Sequence, residues 1–109
     1  MTIDKDDFVA AGERAFVKPF GGVIRLEPEN GAPIWVDGRA APPKFRATAP
    51  KGLDSGGAGQ CVWRGSRETL IRIFEGERLL GSSYLSGRLS ISGDMSVMAR
   101  LQLERAARG

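Results

Sequence analysis

The spacing of apolar positions changes several times along this chain, and each change predicts an element. Over residues 4–18, Phe8, Val9, Ala11, Ala15 and Phe16 recur at mixed helical spacing, with Asp4, Asp6 and Asp7 at the end where a helix dipole favours negative charge. Pro19 and the Gly21 Gly22 pair close that helix. The pattern then shifts to strands over 23–27 and 33–37, separated by Pro28 Glu29 Asn30 Gly31. Asn-Gly between two apolar runs predicts a hairpin, because both residues tolerate positive φ. After Pro42 and Pro43 a short third strand is expected over 44–48, and prolines beside a strand place it at a sheet edge.

The glycine-rich segment 50–59 has no apolar period and is expected to be an exposed flexible loop. It lacks the spacing of a phosphate-binding glycine loop and the Lys-Ser/Thr of a P-loop. Residues 60–64 read as a fourth strand. Ser66 can cap a following helix that carries Glu68 in its first turn and Leu70, Ile71, Ile73 and Phe74 on its apolar side. Gly76 interrupts it, and Leu79, Leu80, Tyr84 and Leu85 suggest a second short helix.

Residues 84–102, YLSGRLSISGDMSVMARLQ, switch period within nineteen residues. Leu89 and Ile91 alternate with polar residues as in a half-buried strand; beyond Gly93, Asp94 is placed to cap a helix on which Met95, Met98 and Leu101 recur at spacing three. The predicted order is α, β, β, β, β, α, α, β, α. Such an order fits an α+β fold, a five-stranded, mostly antiparallel sheet with helices covering one face.

Composition narrows the function. A chain of 109 residues is one domain by length. No apolar run approaches a membrane span, and the polar, acidic N-terminus does not read as a secretory signal, so a cytoplasmic protein is expected. The single cysteine, Cys61, cannot form an internal disulfide and reads as a buried thiol. The absence of histidine removes the commonest general base and transition-metal ligand, so neither a serine triad nor a zinc site is expected, and no cofactor is implied. Sixteen basic residues are interspersed with thirteen acidic ones without a basic run, which argues against a nucleic-acid partner despite a net charge of +3.

The run 66–76, SRETLIRIFEG, followed by Ser86 Gly87 Arg88 Leu89 and then Ile91 Ser92 Gly93 Asp94 Met95, resembles the sterol carrier protein 2 domain family, in a short, bacterial-type single-domain form. Trp35 Val36 Asp37 is similar to that family's second strand. The resemblance spans residues 16–103 and is most specific after Cys61. It implies an apolar tunnel between helices and sheet that takes sterols, fatty acids or acyl-CoA esters without catalysis. Two departures stand out, a first helix shorter than the family's and a more apolar 78–81 turn in place of a polar one.

On this reading Ile73, Phe74, Tyr84, Leu85, Met95, Met98 and Leu101 are the candidate ligand-binding residues, since methionine and aromatic side chains repack around variable apolar ligands. The same residues would equally fill an ordinary core. A lipid-binding or lipid-transfer domain, touching membranes transiently, is the first expectation. The alternative is an interaction or dimerisation module, acting as an accessory factor in a lipid or quinone pathway without its own ligand. Catalysis would have to draw on Asp37, Glu68, Asp94 and Tyr84, but carboxylates at turns and helix starts are explained as caps and dipole partners.

Overall fold

The computed structural model describes residues 7–53, 58–101 and 103. Its elements are α1 (Asp7–Ala15), β1 (Val23–Pro28), β2 (Ile34–Asp37), β3 (Lys44–Arg46), β4 (Gln60–Gly65), α2 (Arg67–Phe74), α3 (Leu80–Leu85), β5 (Leu89–Gly93) and α4 (Ser96–Arg100). Periodicity predicts this order. The strands form one sheet, β3-β2-β1-β4-β5. Only β1 and β4 run parallel, because the β1–β2–β3 meander occupies one edge of β1 and the chain must cross back to reach the other. The edges are β3, as its flanking prolines suggest, and β5.

Several boundaries differ from expectation. Asp4 and Asp6 lie outside the described residues, as do positions 54–57 of the glycine-rich segment. Regular helix ends at Ala15, with the Phe16 N–H still donating to Gly12 O. The strand expected over 44–48 is only Lys44–Arg46, since it has only Trp35, Val36 and Asp37 of β2 to pair with. In the hairpin turn Asn30 alone takes positive φ, at 61°.

Strand register sorts the side chains. Ile24 aligns with Val36 and Cys61, and Leu26 with Ile34 and Trp63, so these residues share the face that packs on the helices. On the outer face Arg25, Trp35 and Arg46 lie in one row, with the Arg25 guanidinium 5.4 Å from the Trp35 ring centroid. Glu27, next along that face, pairs with both Arg25 and Arg64. Basic residues scattered in sequence are thereby gathered on one side of the sheet.

Between α1, α2 and the inner face sit Phe8, Phe16, Phe20, Phe45, Trp63 and Phe74. Phe16 is their centre, with ring centroids of Phe20, Phe45, Trp63 and Phe74 at 6.0, 5.8, 5.9 and 5.5 Å. Among the described residues, this interior is packed with rings where the family resemblance implies a tunnel. Two glycines make the packing possible. A β-carbon at Gly12 would lie 2.6 Å from the Phe45 ring, and one at Gly38 would overlap the ring of Phe20.

Candidate ligand-binding site

Both middle helices end in the same way. After α2, Gly76 adopts φ 80°; its N–H donates to Ile73 O, and the Glu77 N–H donates to Arg72 O. After α3, Gly87 adopts φ 82°; its N–H donates to Tyr84 O, and the Arg88 N–H donates to Ser83 O. These paired bonds are the Schellman closure, which needs a left-handed residue and is least strained with glycine. The closures turn the chain sharply and deliver Arg78 and Arg88 beside α3. At its other end α2 is capped as the sequence predicts, with Ser66 Oγ accepting from the Thr69 N–H at 3.0 Å.

Beside the first closure lies a cleft of about 200 Å³ lined by Ile73, Gly76, Arg78, Leu79, Leu80, Met98, Leu101 and Leu103. Three candidate ligand residues, Ile73, Met98 and Leu101, meet there. Met98 is held in place by the Trp63 indole, whose Nε1–H donates to its sulfur at 3.2 Å. Phe74 lies instead in the aromatic interior, against Phe8 and Phe16.

Tyr84, Leu85 and Met95 are not on this cleft. They are 46%, 84% and 48% exposed. Met95 stands one helical turn before Met98, its carbonyl accepting the Met98 and Ala99 amides, but at the start of α4 the buried position is Val97 and the Met95 side chain stays half exposed. On α3 the buried position is Ser83, whose carbonyl anchors Arg88 and Ser86, and that orientation turns Leu85 outward. Leu79, Leu80 and Arg78 line the cleft although they are not among the residues picked out from the sequence. The glycine at position 76 was the available signal, because it ends α2 and sets the direction of residues 77–80.

Asp94 fixes the start of α4 away from the cleft lining. Its Oδ1 accepts from Ser96 Oγ at 2.6 Å and from the Ser96 N–H at 3.0 Å, while Oδ2 accepts from the Gly59 N–H at 2.7 Å. It thus joins the start of α4 to the start of β4. The Ser96 hydroxyl, followed by the Gly59 and Ser96 amides, holds its carboxyl below the usual range, and the Arg39 guanidinium does the same for Asp37. A depressed folded-state pKa means stability that is present above the unfolded value, about 3.9, and lost as pH falls through the folded value. Thermal midpoints should therefore be level above about pH 5 and fall below about pH 4, with a shallower fall in Asp94→Ala, as melts from pH 3 to 7 would show.

The carboxylates considered for catalysis have structural partners. Asp37 accepts Arg39 Nε and Nη2 at 2.9 and 2.8 Å, and Glu68 pairs with Arg72 one turn on at 3.0 Å. Burial pushes the Cys61 thiol up, away from the reactive thiolate form. Among the described residues there is no cluster of acidic or cysteine side chains able to hold a metal ion, and no helix is long and apolar enough to cross a membrane.

Known proteins give this geometry a context. No curated protein matches the chain. Sterol carrier protein 2 from Yarrowia lipolytica, in its apo form, shares the fold with a TM-score of 0.53 at 14% identity, over 84% of this chain and 75% of that one. The sterol carrier protein 2 like 2 of Aedes aegypti does so with a TM-score of 0.51 at 17% identity, over 85% and 83%. A third structure, the ubiquinone synthesis protein UbiJ-SCP2, has a TM-score of 0.51 at 17% identity, over 84% and 67%. The model of the SCP-2 sterol transfer family matches residues 6–103, and with that match over most of its length the chain belongs to this family.

Proposed function

We propose that this protein is a non-catalytic lipid-binding domain that seats a short stretch of an apolar chain, fatty-acyl in character, in the cleft between α2, α3 and α4. The observation that carries the reading is the convergence of Ile73, Leu79, Leu80, Met98, Leu101 and Leu103 on one open cleft. Its size sets the ligand. A volume of 200 Å³ holds about seven groups of water or methylene size, which suits a flexible chain and is too small for a rigid polycyclic sterol. At about 0.8 kcal/mol per methylene the gross gain is about 6 kcal/mol, and association costs take up much of it. A bare chain therefore binds weakly.

Calorimetric titration with carboxylates of increasing chain length tests this. Affinity is expected to rise about fourfold per methylene up to about eight carbons and then to level off, because further carbons remain in water. A rise continuing to the long fatty acids would sink the small-cleft reading in favour of a tunnel. Uptake at no chain length would favour a second reading, an interaction or homodimerisation module without a ligand. The ring-filled interior and the exposed Leu79, Tyr84 and Leu85 on and beside α3 support that alternative.

A further inference from the structure

A second cleft, of about 390 Å³, adjoins the apolar one and shares Arg78 and Leu79 with it. Its remaining lining is polar and includes Ser82, Ser86 and Arg88. Arg78 stands at the junction, and its Nε is buried without a hydrogen-bond partner among the described residues. Such a group is rare in a folded protein and costly to leave unmet. The acidic residue of this cleft, Glu77, is engaged by Arg72 at 3.3 Å. The Ser82 and Ser86 hydroxyls donate to Leu79 O and Ser83 O, so they have no proton left for an anion. Recognition here falls to the two guanidiniums.

We infer that Arg78 and Arg88 form a headgroup site for a carboxylate or phosphate, so that the ligand is an anionic single-chain amphiphile with its tail in the apolar cleft. The inference rests on the lipid-binding reading above and adds its polar half. Guanidinium planes suit both anions, which present paired oxygens to a forked donor. The two Schellman closures provide the positioning: each places an arginine one or two residues past a left-handed glycine, on either side of α3.

The test compares octanoate, octyl phosphate, 1-octanol and inorganic phosphate on the full chain and on Arg78→Gln. Octanoate and octyl phosphate should bind the parent about tenfold more tightly than octanol, the range of one charge-assisted hydrogen bond. Arg78→Gln should bring both anions down to the octanol level and leave octanol unchanged, while Arg78→Lys keeps much of the preference. Equal binding of octanoate and octanol by the parent would overturn the headgroup site and leave the apolar cleft standing. Inorganic phosphate binding as tightly as octyl phosphate would assign the arginines to a free anion instead. If no chain-bearing probe binds, the cleft reading fails and the headgroup site fails with it. Circular dichroism checks that Arg78→Gln folds; Arg88→Gln, at an exposed position, carries the same comparison if it does not.

Discussion

Replacing Phe16 by alanine should destabilise the fold by about 4 kcal/mol, within the usual range for truncating a buried phenylalanine. Phe16 is 2% exposed and its ring meets four other aromatic rings, so little around it can collapse to fill the space. Chemical denaturation monitored by tryptophan fluorescence reads the effect, since Trp63 is one of those four neighbours. A loss below about 1 kcal/mol would mean that the ring cluster is loosely packed. The same variant bears on function. If the aromatic rings occupy the place of a ligand tunnel, the vacated space should extend the chain-length limit, and carboxylates longer than octanoate should gain affinity in Phe16→Ala. A total stability of about 5–15 kcal/mol leaves little margin for such a change, so Phe16→Leu, with a smaller void, provides the fallback.

Gly38→Ala should be nearly as damaging, at about 3 kcal/mol, although it adds a single methyl group. That methyl would overlap the ring of Phe20, itself 2% exposed. The backbone cannot yield easily either. Gly38 O accepts from the Phe20 and Gly21 amides at 2.9 and 3.0 Å, and its own N–H donates to Gly22 O at 2.9 Å. Thermal melting of the variant should show the loss. Gly81→Ala is the matched control, since a β-carbon there meets nothing within 4 Å, and should be neutral or slightly stabilising. Equal melting temperatures for the two variants would show that the Gly38 to Phe20 contact yields without cost.

Much of the fold is legible because its elements obey local rules. The alternation of Leu89 and Ile91, the Ser66 cap, the Gly76 stop and the Asn30 turn each depend on a few neighbouring residues. The structure realises them all. The structure departs from the expected burial where a short helix is oriented by its contacts. A six-residue helix has too few turns for its own apolar pattern to dictate which side is buried, so the seating of α3 against β5 through Ser83 and Arg88 decides. Leu85 and Tyr84 consequently point outward. Met95 is placed by the same kind of contact, since in the five-residue α4 it is Val97 that takes the buried position.

The sequence by itself determined the order of elements, the β3 sheet edge, the buried thiol and the family resemblance, because periodicity, capping and turn chemistry act over a few residues. Only the tertiary structure decided what occupies the interior and where the cleft lies. Phe8 and Phe74 are more than sixty positions apart yet pack edge to face at 5.6 Å, and Ile73 reaches Met98 across one small cleft. Whether apolar side chains fill a space or line it depends on how helices and sheet meet. That is set by long-range packing, in which Gly12 and Gly38 matter as much as any large side chain.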